Sequence, residues 1–171
     1  PVFSSNEEAL STLLKAIELS GHRPGEDVAI SLDIAASEFG EGGRYRFDRE
    51  NRTLDRAEMA DMLLGWARTY PIVSIEDPLA EDDEEGLIAF TEAAGPKLQI
   101  IGDDFLVTNA DRVRHAASVG ACNAVLIKPN QAGTLTETRA ALGAARDTGY
   151  SAVVSARSGE TEDVTIVHLA V

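Results

Sequence analysis

The sequence predicts an α/β fold in which parallel strands alternate with helices at the repeat of a (β/α)8 TIM-like barrel. Three observations predict it. Five short runs rich in Val and Ile (Val28–Ile34, Ile72–Ile75, Leu98–Ile101, Ala124–Ile127 and Ala152–Val154) mostly lack apolar–polar alternation, as strands covered on both faces do. Stretches of helical spacing lie between them, which implies crossovers onto a parallel sheet. From Ile72 onward the strands begin about every 26 residues, close to one βα unit of such a barrel.

Asn6 before Glu7 and Glu8 predicts an N-cap with first-turn acids; Leu10, Leu13, Leu14 and Ile17 keep one helix face, and Gly21 ends it. The segment from Glu41 to Phe47 reads as a short surface hairpin or loop. Asp55–Thr69 is a second helix through Met59, Met62, Leu63 and Trp66. Asp83–Ala94 is a third, stopped by Gly95 and Pro96. Asn109–Val119 and Thr134–Thr148 are the fourth and fifth, and a sixth is expected from near Gly159 to the end. Five strands do not close an eight-stranded barrel, which takes about 250 residues. The 171 residues are therefore expected to be one incomplete domain, 1–171, of a longer barrel. An open, doubly wound five-stranded sheet is the competing arrangement.

Composition narrows the function classes. Asp and Glu number 29 against 15 Lys and Arg, a formal charge of −14. Such a surface repels phosphate backbones and anionic lipid, so no nucleic-acid partner is expected. Hydrophobic residues at 44% and charged residues at 26% fit a globular core. Cys122 is the only cysteine, which leaves no internal disulfide and no cysteine-rich zinc site; it reads as a small buried hydrophobe. No apolar run approaches the ~20 residues of a membrane span. The first residues show no basic and apolar leader, so a cytoplasmic location is expected.

The residues that could carry chemistry stand at the strand ends. The first four runs end at Asp33, Glu76, Asp103 and Lys128. Ligands of parallel α/β folds sit at the carboxyl ends of the strands. Three carboxylates converging there repel one another unless a cation sits among them, and oxygen-only ligands suit Mg²⁺. An ammonium beside a divalent metal is disfavoured, so a lysine there suits a general base, and the metal can stabilise an enolate or carboxylate dianion. Taken singly, each acid is more often a turn or cap residue; four charged residues closing consecutive strands are less easily explained that way. Asp77 and Asp104, next to the candidate ligands, read as exposed or as their supports. After the fifth strand, Arg157, Ser158 and Gly159 before a helix would make an anion site. The plainer alternative is an N-cap at Ser158, with Glu160 and Glu162 in the first turn.

Other features read as structural. His22, His115 and His168 show no metal spacing and read as solvent or packing residues. The acidic run from Glu81 to Glu85 reads as a solvated helix start. Arg44, Arg46, Arg49, Arg52 and Arg56 form a basic patch, by default a solvated loop.

Several longer segments carry a resemblance: Ser5–Leu10, Leu32–Phe39, Tyr70–Pro78, Gly102–Asp104, Thr108-Asn109, Lys128–Thr134 and Arg157–Asp163. In that order, and over nearly the whole chain, the sequence resembles the enolase family, the glycolytic phosphopyruvate hydratases. The resemblance implies a partial barrel of the enolase superfamily that binds Mg²⁺ and interconverts 2-phosphoglycerate and phosphoenolpyruvate. By position, Asp33, Glu76 and Asp103 resemble the metal ligands, and Lys128 the base that takes the proton α to the carboxylate. Arg157 and Ser158 resemble the contacts to the substrate phosphate and the second metal. A phosphorylated carboxylate substrate and a homo-oligomer, dimer or larger, are implied with them.

The chain departs from the family in three places. Ala156 stands where the family usually has a substrate-binding His, and Pro129 where an aliphatic residue is common. The family's amino-terminal domain, its general-acid glutamate and a second active-site lysine are expected outside this sequence. Ala156 leaves room for another enzyme of the superfamily, such as an acid-sugar dehydratase or racemase, or for an impaired paralogue with a binding role.

Overall fold

The structure, a computed structural model, describes residues 2–159 and 161–171. Helix α1 (Asn6–Leu19) is capped by Ser5, whose hydroxyl accepts the Glu8 N–H at 3.1 Å, so the cap lies one residue before the expected Asn6. Strand β1 (Ile30–Asp33) is shorter than the apolar run, because Val28 is spent in an isolated bridge to Pro24. The expected hairpin is larger, a three-stranded antiparallel sheet of β2 (Gly40–Glu41), β3 (Arg44–Phe47) and β4 (Arg52–Asp55). Its last strand runs directly into α2 (Arg56–Thr69), where Asp55 and Glu58 form a capping box.

The remaining elements alternate as expected. They are β5 (Ile72–Glu76), α3 (Glu84–Ala94), β6 (Gln99–Gly102), α4 (Ala110–Val119) and β7 (Ala124–Ile127). A single helical turn, α5 (Pro129–Ala132), precedes α6 (Leu135–Thr148), β8 (Ser151–Val154) and α7 (Thr165–Ala170). The last helix begins later than Gly159 and has no side-chain cap, so Ser158 is not its N-cap and Glu162 is not in its first turn. Glu160 lies outside the described residues.

The main sheet is parallel, in the order β1-β5-β6-β7-β8. Its order follows the chain without reversal. A doubly wound sheet reverses direction at a switch point, whereas a barrel adds each strand beside the last. The chain is thus a barrel part. Its outer face packs under the helices in a core that includes Ile75, Ile100, Val125 and Ile127 with Leu63, Phe90, Val113 and Ala141. A separate cluster of Ile101, Ala124 and Leu126, with Val153 against it, covers the inner face. Coverage on both faces is fullest in β6 and β7, whereas Val73 of β5 is half exposed. All four residues of β7 are buried, while Ser31 and Asp33 in β1 and Ser151 and Ala152 in β8 are exposed, because these strands end the sheet.

Candidate functional site

Strand register brings the predicted residues to one pole. Asp33 pairs with Glu76, and Glu76 pairs with Ile101 on β6. Ile101 in turn pairs with Ala124 on β7. Side chains repeat every second residue on a strand. Asp33, Glu76, Asp103 and Lys128 therefore share one face of the sheet, the inner face that carries Ile101, Ala124 and Leu126. Each step from β5 to β6 to β7 climbs two residues, the stagger that barrel closure demands.

Side-chain contacts tighten the β6–β7 half of this pole. The Lys128 ammonium pairs with Asp103 Oδ2, and the two side chains are 14% and 10% exposed. Gln131 Nε2 donates to Asp103 Oδ1 at 3.3 Å. The Thr108 hydroxyl donates to Gln131 Oε1 at 2.6 Å and accepts the Lys128 backbone N–H at 3.0 Å. Thr108 and Gln131 thus hold the pair from behind, roles that sequence reasoning did not assign. Both lie in segments of the resemblance, but no local pattern marks them.

Asp77 is 4% exposed and is a support, not a surface residue. Its Oδ1 accepts the Asp103 N–H at 2.9 Å and its Oδ2 the Asp104 N–H at 3.0 Å. Backbone strain gathers at this pole. Ala35, Asp77, Val107 and Thr108 have φ of 47°, 42°, 45° and 51°, in the left-handed region, in the loops after β1, β5 and β6.

The electrostatics are those of a site short of positive charge. Burial, then the charges of Asp33, Asp103 and Asp77, push the Glu76 carboxyl up to about 7, against the opposing pull of Lys128. Burial also pushes Asp77 up to about 7, although the two backbone N–H groups it accepts oppose the shift. Asp104 is raised too, by burial and then by Asp103.

This donor set fits a hard divalent cation, since all its ligand atoms are carboxylate oxygens. The tightest group among the described residues is Asp77, Asp103 and Asp104, with oxygens within 4.8 Å of one another. Asp103 is common to that group and to the predicted trio. Asp33 and Glu76 stand at adjacent strand ends but outside the tight group, and Asp33 Oδ1 turns back to accept the Ala35 N–H at 3.0 Å. The oxygens of Asp77 already hold two backbone amides, which leaves Asp77 a poorer ligand than its position suggests.

The structure also places the other candidates. Arg157 and Ser158 are exposed in the segment after β8, whose first residue donates its N–H to Ile127 O beside Lys128. Among the described residues no helix begins there, the next one starting at Thr165, so they supply no helix dipole to the expected anion site. Asp83 is not solvated as expected of the acidic run. Its buried carboxylate accepts the Tyr45 hydroxyl at 2.9 Å and the Gly86 N–H at 3.1 Å and pairs with Arg56 at 2.6 Å. Three arginines of the basic patch are neutralised locally: Arg46 by Asp48, Arg52 by Glu50, and Arg56 by Asp83 and Glu85. His115 pairs with Glu84 at 2.7 Å, and Cys122 is buried as expected. A cavity of 710 Å³ lies between α1, β1, the small sheet and α2; of the candidate residues it touches only Asp33.

Comparison with known proteins agrees with this architecture. The family model for the enolase C-terminal TIM barrel domain matches residues 1–171. A similar relative is Enolase 1 of Desulfitobacterium hafniense (strain Y51), 52% identical over 171 residues, which cover 99% of this chain and 39% of that protein. Among the described residues, no helix is long and apolar enough to cross a membrane.

Proposed function

The chain belongs to the enolase family as part of its C-terminal TIM barrel domain, and on that premise we propose that it carries the metal-binding and proton-abstracting part of a Mg²⁺-dependent lyase. The reaction is the interconversion of 2-phosphoglycerate and phosphoenolpyruvate, a step of glycolysis in the cytoplasm. The observation that carries this reading is the Lys128–Asp103 contact at the ends of adjacent strands, in staggered register with Glu76 and Asp33.

In this proposal the Lys128 amine takes the proton α to the substrate carboxylate. Thr108 fixes the backbone of Lys128, and Gln131 steadies Asp103, so the amine is aimed before substrate arrives. Asp33, Glu76 and Asp103 are the residues that would hold Mg²⁺. When bound, Mg²⁺ supplies positive charge against the negative charge that builds on the substrate carboxylate. Arg157 and Ser158 are proposed to receive the phosphate, Arg157 through its forked guanidinium. Departure of the hydroxide needs a general acid, and a homo-oligomer is the proposed assembly.

Phosphoenolpyruvate formation by the full-length protein tests this reading. Mg²⁺-dependent turnover should fall by about 10² to 10⁴-fold in Lys128→Ala. Undiminished turnover in that variant would overturn the assignment of the base. Ala156 supports one second reading, a different carboxylate substrate for the same site. Turnover of other carboxylates with none of 2-phosphoglycerate would favour it, and Ala156→His should then shift preference towards the phosphorylated substrate.

A further inference from the structure

We propose that Asp77 is the positioning residue that sets the spacing of the three candidate metal ligands. The proposal rests on the metal reading above, but its geometry stands independently of it. Asp77 bonds to the two strand ends that flank its own. Its carbonyl accepts the Ala36 N–H at 3.3 Å, which reaches the loop after β1 and Asp33. Its own N–H donates to Ile101 O at 2.9 Å on β6. Its carboxylate takes the Asp103 and Asp104 amides, one on each oxygen. Glu76 is its immediate predecessor in the chain. One residue thus ties together the loops that present Asp33, Glu76 and Asp103.

The chemistry of the side chain is specific. Two N–H donors converge on two acceptor oxygens, and a carboxylate is the side-chain group that accepts at both positions. Asparagine of the same shape would turn an amide NH₂ towards one of the two backbone N–H groups, placing donor against donor. Alanine would leave both amides without a partner in a buried place. The backbone is equally committed. Asp77 has φ of 42°, a conformation that Asp tolerates better than most side chains. With the Asp103 main chain held by Asp77, its carboxylate is left to Lys128 and Gln131, so main chain and side chain are fixed from opposite sides.

The test uses full-length protein and Asp77→Asn, with two readouts. By calorimetric titration in the absence of substrate, Mg²⁺ affinity should fall 10- to 100-fold, the range for groups that orient metal ligands. By hydrogen exchange in metal-free protein, the amides of Asp103 and Asp104 should be protected in the parent and should lose protection in the variant. Tyr45→Phe is the control for a merely structural loss: it removes a buried hydrogen bond elsewhere and should leave Mg²⁺ affinity unchanged. A folded Asp77→Asn protein that keeps both its Mg²⁺ affinity, within twofold, and its amide protection overturns the proposal. Should Asp77→Asn fail to fold, the parent decides: rapid exchange of both amides overturns the proposal, and slow exchange supports it. A parent that takes up no Mg²⁺ overturns the metal reading instead, and the exchange readout still decides whether Asp77 holds the Asp103 loop.

Discussion

The ammonium of Lys128 and the carboxylate of Asp103 meet at the ends of adjacent parallel strands, with little solvent around either. In the metal-free protein each is the other's main compensation for burial. Lys128→Met should therefore cost about 1–3 kcal/mol of stability, because Asp103 is left as a mostly buried charge with Gln131 as its remaining side-chain partner among the described residues. Urea unfolding in EDTA measures that loss. In saturating Mg²⁺ the loss should shrink, since a cation on Asp103 replaces the missing ammonium. An equal loss in both conditions would show that Mg²⁺ does not engage Asp103.

Tyr45 joins the small antiparallel sheet to the β5–α3 loop. Its hydroxyl donates to Asp83 at 2.9 Å and accepts the Ala80 N–H at 3.2 Å, all in a buried place. Tyr45→Phe keeps the ring and removes both bonds. The expected cost is about 1–3 kcal/mol, the desolvation left uncompensated at Ala80 and Asp83. A lower thermal midpoint with an unchanged far-UV spectrum is the expected result, and an unchanged midpoint would contradict it.

Gly102 ends β6 just before Asp103, and it has no room for a methyl group. A Cβ there would come within 2.7 Å of Leu106 and 3.1 Å of Cys122 Sγ. Gly102→Ala should destabilise the protein by about 1–3 kcal/mol through overpacking. It should also weaken Mg²⁺ binding, since the adjacent residue is Asp103. Pairing it with Cys122→Ala, which opens space on one side, should recover part of the stability.

Alkaline pH should unfold the protein earlier than its surface suggests. Burial pushes the Cys122 thiol up to about 12 from its ordinary 9.0, and burial also raises the phenols of Tyr45 and Tyr150. Above pH 9 the unfolded chain releases the thiol proton while the folded chain keeps it. The contribution is full below pH 9 and is lost as pH rises towards 12. The urea midpoint should fall as pH rises above 9.0 towards about 12, and less so in Cys122→Ala. Ellman's reagent should react with Cys122 only as the protein unfolds.

The alternation of helix and strand, the parallel sheet and the charged residue at each strand end were legible because they rest on short-range physics: apolar periodicity, cap chemistry, and the polar residue that stops a buried run. Asp33, Glu76, Asp103 and Lys128 could be read directly from where the apolar runs stop. Where elements merge or caps compete, the sequence was a poorer guide, as β4 running into α2, Ser5 in place of Asn6 and the late start of α7 show.

How the strand ends meet was decided only by the tertiary structure. The monotonic strand order separates a barrel from a doubly wound sheet, and it depends on long-range pairing that no local pattern encodes. The stagger that aligns Lys128 with Asp103, the hub at Asp77, the support by Thr108 and Gln131, and the burial of Asp83 against Tyr45 all join residues distant in the chain. Their partners are chosen by register and by left-handed backbone turns. A sequence names the groups that could bond, but the fold sets which of them come within reach.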